Sequence, residues 1–241
     1  MTTGLTYATF VTELANLAVV DPADVNFVAN LPQCITYAEN RIYRDLDLLT
    51  TVTATSGFTC TTGSRQITWP LTQFVTVQEI NVITPVGTSN PNSGTRVNLL
   101  PTTKVWMDTV YASPTATGVP RWMAMLDQNT ALIAPWPSAN YSVEIVGTVR
   151  PDSLSASNTT TFISTYLPDL FIMASMVFIS GYQRDFALGA SQPNDAGMPI
   201  NYETQYQTLL KSATVEESRK KFEAGAWSSM APAVAATPSR G

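Results

Sequence analysis

The sequence predicts an α+β fold: helices from both ends of the chain form one body, beside a central antiparallel β domain and a flexible C-terminal arm. Both terminal zones repeat apolar side chains every three or four positions, which is the helical period. Residues 51–140 hold only seven charged side chains and are rich in Thr, Val and aromatic residues, which favour strands. The last 18 residues are mostly Ala, Ser and Pro without a period, as is typical of a flexible arm. The predicted parts are an N-terminal helical part (1–49), the central β domain (50–150), a C-terminal helical part that packs with the first (151–223) and the extended arm (224–241).

Two helices are predicted in the N-terminal part. The first spans Thr6 to Leu17 and ends before the Asp21–Pro22 pair. The second begins after Asn30 and has Pro32 in its first turn, where a missing N–H costs nothing. Its inner face is apolar and its outer face is solvated, with a contact expected between Arg41 and Asp45. The inner face comprises Leu31, Ile35, Ala38, Ile42, Leu46 and Leu49, and the outer face Glu39, Asn40, Arg44 and Asp47.

The central part is predicted to consist of short strands separated by Gly, Pro and Asn. A tight hairpin turn is expected at 127–130, one helical turn at 101–108, and an exposed loop at 87–94. The strands are expected at 51–55, 65–69, 74–84, 95–100, 121–127, 130–134 and 141–149.

Two further helices are predicted after the β domain. The first, from Leu167 to about Leu188, is apolar nearly all round and should therefore be buried. A turn at 191–199 leads to the second, at about 200–223, in which Glu216–Lys220 and Glu217–Lys221 have the spacing of helical ion pairs. Its buried stripe is expected to be Tyr202, Tyr206, Leu209, Leu210 and Ala213.

Composition excludes several classes of function. The 241 residues include no His, which removes Ser-His-Asp catalysis and imidazole-dependent zinc sites, and no metal or other cofactor is predicted. Cys34 and Cys60 form no C-x-x-C pair and are expected to be buried thiols, with a disulfide as the alternative. The net charge of −5 does not suit wrapping of duplex DNA. No signal peptide is seen, and the apolar stretch 170–182 is too short to span a membrane.

Four acids lie in the β domain, and no spacing singles out two of them as a catalytic pair. A carboxylate-based glycan hydrolase is therefore an alternative reading, less favoured than a protein without catalysis. The tryptophans of the same part fit either core positions or a sugar-binding platform. The acids are Glu79, Asp108, Asp127 and Glu144, and the tryptophans are Trp69, Trp106, Trp122 and Trp136.

One stretch carries a family resemblance. Residues 37–46, YAENRIYRDL, have the form A-E-x-R-I-x-R-D-L, which resembles the N-terminal helix of bacteriophage head-to-tail adaptor (connector) proteins. The layout is similar too, because Gly118–Trp122 precedes a hairpin and Ala134–Pro137 leads into a strand. Tyr166–Leu170 then opens a helix, and the final helix ends in EESRK. The resemblance covers most of residues 5–223.

The resemblance implies a structural virion protein without enzymatic activity. Members of that family form rings, commonly of twelve copies, below the portal protein, and a tail or nozzle protein binds their far side. The expected partners are thus the portal, the tail protein and other copies of the chain, and no membrane. Genomic DNA would pass through the channel without specific binding, and twelve copies at −5 each would carry a repelling charge of about −60. The expected location is the head–tail interface, after assembly in the host cytoplasm.

By position alone, the resemblance makes residues 224–241 a portal-binding arm, with Trp227, Met230, Pro232 and Arg240 as its candidate contacts. A large aromatic side chain and a methionine have no core to join in such a segment, so a partner is expected to cover them. The alternatives are a vestigial tail and, for the whole chain, another tail or decoration protein with a β binding domain.

Overall fold

The computed structural model describes residues 4–182 and 201–221. The chain forms two compact units. Unit 1 combines the residues before Thr51 with those after Arg150, and unit 2 is Thr51–Arg150. Helices precede and follow a central β region, which confirms the predicted α+β class.

The described part of unit 1 is helical, and its helices pack around α5. With helices numbered along the chain, α5 contacts α1, α2, α4 and α6. The rings of Phe10 in α1 and Phe171 in α5 stack with centroids 4.3 Å apart, and the α5 side chains from Leu170 to Ser180 are buried or half-buried. The helices are α1 (Tyr7–Ala18), α2 (Val25–Asp45), α4 (Phe162–Tyr166), α5 (Pro168–Tyr182) and α6 (Tyr202–Lys221).

Helix α2 begins earlier than the sequence predicts. Its first residue is Val25 instead of a position after Asn30, because the Asp24 side chain accepts a hydrogen bond from the Phe27 N–H and caps the helix there. Pro32 consequently lies inside the helix and not in its first turn. The predicted apolar stripe is buried from Leu31 to Leu46, but Leu49 is exposed.

The predicted stripe of α6 is confirmed. Tyr206 and Ala213 are buried, and Tyr202, Leu209 and Leu210 pack against the same core. The expected continuation of α5 to Leu188 and the turn at 191–199 lie outside the described residues.

Unit 2 contains ten strands, a 3-10 helix at Pro91–Ser93 and one α-helix, α3 (Lys104–Val110), which replaces the single turn expected at 101–108. The hairpin at 127–130 is confirmed, since Asp127 pairs with Thr130. The strands are β1 (Val52–Cys60), β2 (Gln66–Thr68), β3 (Thr76–Thr84), β4 (Thr95–Asn98), β5 (Leu100–Pro101), β6 (Thr117–Gly118), β7 (Trp122–Asp127), β8 (Thr130–Ala134), β9 (Trp136–Pro137) and β10 (Tyr141–Thr148).

These strands form two four-stranded sheets and one short pair. The first sheet has the order β1-β10-β3-β4 and is antiparallel throughout. The second has the order β2-β8-β7-β5, in which only the short β5–β7 pair is parallel, and β6 pairs with β9 in parallel. Side chains from both four-stranded sheets share one core, which includes Ile67, Ile80, Ile133 and Val143. The backbone enters and leaves this unit at adjacent points, because the Val149 N–H donates to the Thr51 carbonyl at 2.8 Å.

Candidate interaction surfaces

Glu39, predicted on the solvated face of α2, is instead almost fully buried, with 1% of its surface exposed. Its Oε1 accepts a hydrogen bond from the Leu154 N–H at 3.0 Å, and its Oε2 has no partner. Burial raises the pKa of this carboxyl above its ordinary range, against the opposing effect of the Leu154 hydrogen bond. Glu39 thus fastens the segment after the β unit to α2.

Arg41 and Asp45, two and six residues further along α2 than Glu39, hold the start of α6. The two terminal nitrogens of Arg41 donate to both carboxylate oxygens of Glu203, at 2.7 and 2.5 Å, and its guanidinium lies 4.1 Å from the centre of the Tyr206 ring. The Arg41 hydrogen bonds lower the pKa of Glu203. Asp45 accepts from the Tyr206 hydroxyl at 2.7 Å, and the expected Arg41–Asp45 contact is present at 3.6 Å.

Of the two ion pairs predicted in the last turns of α6, Glu216–Lys220 is confirmed and Glu217–Lys221 is not. Lys220 pairs with both Glu216, at 2.8 Å, and Glu217, at 2.7 Å. The predicted Glu217–Lys221 pair is wrong, because Glu217 is turned inward, where it also accepts from the Leu49 N–H at 3.3 Å, and Lys221 pairs with Asp47 instead. The polar residues of α2 are therefore attachment points for the C-terminal half of unit 1.

Three of the four acids of the β unit form structural contacts. Asp108 binds Arg65 and Lys104, whose hydrogen bonds lower its pKa. Glu144 is bound by Arg96 at 2.8 Å, which likewise lowers its pKa. Asp127 accepts from the Asn129 N–H in the hairpin turn, and Glu79 is exposed on β3.

The four tryptophans do not share one surface. Trp69 is buried in the core of unit 2, as the core interpretation expects. Trp106 on α3 is partly exposed and contacts Trp122, with ring centroids 5.1 Å apart. The ring of Trp136 lies 5.7 Å from the Arg65 guanidinium, and its Nε1 donates to the Tyr111 carbonyl.

An exposed apolar surface occurs where α1 turns into α2, and we call it the tip. Val19 is 90% exposed and Val25 80% exposed, the largest exposed fractions among the large apolar side chains that the structure describes. Asp21 and Asp24 lie between them and cap the turn, accepting from the Ala23 and Phe27 N–H groups. The tip comprises Leu17, Val19, Val25 and Val28 with the exposed acids Glu13, Asp21 and Asp24.

A second exposed surface runs along α6 and has the opposite charge. Lys211, Val215 and Arg219 are spaced four residues apart, so they lie on one side of the helix, and all three are exposed. Neither cation forms an ion pair with any of the residues 4–182 and 201–221. We call these three residues the α6 stripe.

Comparison with known families gives a match over nearly the whole chain. The sequence model of the SU10 adaptor protein family matches residues 5–233. The chain belongs to this family. No curated protein matches it.

Membership of the SU10 adaptor family makes the chain a phage structural adaptor protein and a component of the virion, which interacts with other head or tail proteins. This assignment is consistent with a protein that has no enzymatic activity.

Further observations bear on the remaining expectations for this SU10 adaptor family member. Cys34 and Cys60 are free and buried, which agrees with the expected thiols. In the residues that the structure describes, no group of three acid or cysteine side chains could hold a metal ion, and no helix is long and apolar enough to cross a bilayer. The candidate portal contacts Trp227, Met230, Pro232 and Arg240 lie outside the described residues.

Proposed function

We propose that this chain is a head-to-tail adaptor that forms a ring, of twelve copies, below the portal and joins the capsid to the tail. The observation that carries the proposal is the match to a phage adaptor family over residues 5–233. The ring would line the channel through which the genome passes, and a tail or nozzle protein would bind its far side. Assembly would take place in the host cytoplasm before the tail is added.

Charge and composition support this role. A net charge of −5 in each copy would make a closed ring strongly acidic, and an acidic channel repels DNA phosphates so that DNA slides without binding. Only 13% of the residues are charged, which suits extensive contacts between subunits, because charged side chains are depleted at the centres of interfaces.

In this proposal the segment 224–241 is the arm that binds the portal. Trp227 and Met230 are its anchors, because an aromatic side chain and a methionine fill apolar pockets at interfaces, and Pro232 and Arg240 are further contacts. We expect Trp227→Ala combined with Met230→Ala to weaken portal binding about tenfold or more while the helical circular dichroism is unchanged. Ser228→Ala with Ser229→Ala, in the same segment, is the matched control and should bind as the original chain does.

Native mass spectrometry of the chain mixed with the portal protein from the same genome tests the whole proposal. A portal ring that gains a full ring of this chain is the expected product, and its mass gives the copy number. No complex at micromolar concentrations would contradict the proposal and would favour another tail or decoration component. Normal portal binding by the Trp227→Ala, Met230→Ala variant would contradict the role of the arm alone.

A further inference from the structure

One exposed apolar residue of the tip, Val19, has a backbone conformation that is unfavourable for valine. Val19 ends α1 in the left-handed region, at φ 54° and ψ 44°, where its N–H donates to the Ala15 and Asn16 carbonyls. Glycine or asparagine usually occupies this position, because a β-branched side chain is strained there. Val19 is nonetheless 90% exposed, so its side chain gains nothing from burial within the chain to offset that strain. An apolar partner that covers Val19 would supply the missing burial.

The charge of the tip indicates which kind of surface could bind it. The tip also carries the exposed carboxylates of Glu13, Asp21 and Asp24, none of which forms an ion pair with the residues that the structure describes. The partner surface should therefore have an apolar centre between cations. Two tips cannot face each other, since their carboxylates would repel.

The α6 stripe has the required chemistry. Val215 is 51% exposed and lies midway between Lys211 and Arg219, which are free of ion pairs within the described chain. The buried side of α6, with Tyr206, faces α5 and the core, so the stripe points away from the unit's own interior. A tip placed on this stripe brings Val19 to Val215 and carboxylates to both cations.

We propose that the tip of one copy of this chain docks on the α6 stripe of a second copy. The two surfaces belong to different helices, and α1 and α6 each pack on α5. Each copy would then use one surface for each neighbour, and such a head-to-tail contact repeats until the ring closes. The inference deepens the proposed ring, on which it rests, by naming the contact between neighbouring subunits.

Cysteine pairing tests the contact directly. The chain with Val19→Cys and Val215→Cys, assembled on the portal and oxidised, should give a ladder of covalent multimers on denaturing gels. Each single variant should give no ladder, because a head-to-tail contact brings unlike positions together. Val19→Cys with Val105→Cys, which places the second thiol on exposed α3, is the matched control. Cys34 and Cys60 should not form cross-links, because they are buried and burial raises the pKa of both thiols.

Charge reversal tests the same contact without new thiols. Lys211→Glu with Arg219→Glu should weaken ring formation at least tenfold, and adding Glu13→Lys, which leaves the capping side chains of Asp21 and Asp24 in place, should restore part of it. Replacing Glu13 by Gln and both Asp21 and Asp24 by Asn removes the tip charge while an amide oxygen can still cap the turn. That variant should also assemble more weakly, with an unchanged melting temperature.

The outcomes separate this inference from the proposed function. A ring on the portal without a covalent ladder, or a ring indifferent to the Lys211→Glu, Arg219→Glu change, overturns the inference and leaves the adaptor role standing. A ladder formed by the chain alone at high concentration, without portal binding, supports the contact and overturns the portal role. A chain that never associates with itself, with or without the portal, overturns both.

Discussion

Glu39 is buried in surroundings that favour the neutral form of its carboxyl. Its carboxyl is buried and accepts a hydrogen bond from the Leu154 N–H. Removing that acceptor leaves a backbone N–H unpaired inside the protein, which typically costs about 1–3 kcal/mol. Glu39→Ala should therefore lower the free energy of unfolding by about 2 kcal/mol in urea titrations. Glu13→Ala, an exposed glutamate on α1, is the matched control and should change it by less than about 0.5 kcal/mol.

The raised pKa of Glu39 gives stability a pH dependence of known sign. The folded protein binds this proton more tightly than the unfolded chain, in which the pKa is near 4.5. The stabilising contribution is thus fully present below that value and is lost as the pH rises toward and past the folded pKa. Relative to Glu39→Gln, which cannot ionise, the original chain should become less stable between pH 4.5 and 7.5. An unchanged difference between the two proteins at both pH values would contradict the assignment.

Arg41 contributes geometry as well as charge. Its paired hydrogen bonds to Glu203 and its position over the Tyr206 ring both need a planar guanidinium. Because Glu203 is about 40% exposed, solvent screens the pair, and a double-mutant cycle of Arg41→Lys and Glu203→Gln should give a coupling of about 0.5–1 kcal/mol. Arg44→Lys, at an exposed position on the same helix, should be neutral. A coupling indistinguishable from zero would show that the pair adds no stability.

At the residue scale the sequence predicts apolar positions far better than polar ones. Periodicity alone places Ile35, Ala38 and Ile42 in the core correctly, because burial follows helical spacing. The same periodicity places Glu39 in solvent, since nothing local shows that the Leu154 N–H comes to meet it. A partner 115 positions away along the chain is a tertiary fact.

At the element scale, β10 depends on one glycine. It pairs with β1 on one side and β3 on the other, and the β3 register shifts between Val146 and Gly147. A Cβ atom at position 147 would lie 2.5 Å from the Thr76 carbonyl oxygen and 2.8 Å from Cδ1 of Phe74. Gly147 therefore permits a close approach of two strands that any larger residue would force apart.

Gly147→Ala should accordingly destabilise the protein by about 1–3 kcal/mol, because backbone and a buried ring must move. Gly181→Ala is the matched control, since a Cβ atom there meets nothing within 4 Å and lies in helix α5. It should be neutral or stabilising by up to about 1 kcal/mol, owing to the higher helix propensity of alanine. Thermal unfolding measures the stability of both variants. Equal changes in stability would show that the strands can move apart at position 147 without cost.

Element boundaries follow the sequence only where a local signal is strong. The hairpin at 127–130 and the start of α5 at Pro168 agree with their turn and N-terminal signals. The start of α2 does not, because Pro32 is the stronger local signal and the Asp24 cap is the one that operates. The tip follows from this same shift, since it places Val25 and Val28 on a helix that the sequence would begin later.

At the scale of the whole molecule, unit 2 is an insertion with adjacent ends. The Thr51 carbonyl accepts from the Val149 N–H, and each unit has its own core. Replacing residues 51–150 by a short Gly-Ser linker should therefore leave the helical unit folded. Its circular dichroism should show helices that melt cooperatively, and residues 51–150 expressed alone should show a β spectrum. Loss of cooperative melting in both fragments would mean that neither unit folds without the other.

The function of the whole molecule can be predicted only in part from its sequence. The motif at 37–46 points to a phage adaptor family, and the match over residues 5–233 agrees. The structure shows why that motif contains charges: Glu39, Arg41 and Asp45 fasten the C-terminal half of unit 1. The tip and the α6 stripe escaped the sequence analysis, because exposure of Val19 or Val215 depends on what the rest of the fold leaves uncovered.

The adjacent ends of unit 2 also have a mechanical consequence. Tension between the two units would enter unit 2 through Val52 and Thr148, which are partners at one end of the β1–β10 ladder. Both strands would be pulled in the same direction, so the load is shared and does not peel one strand from the other. The β unit is thus tethered by two chains that resist extension in parallel.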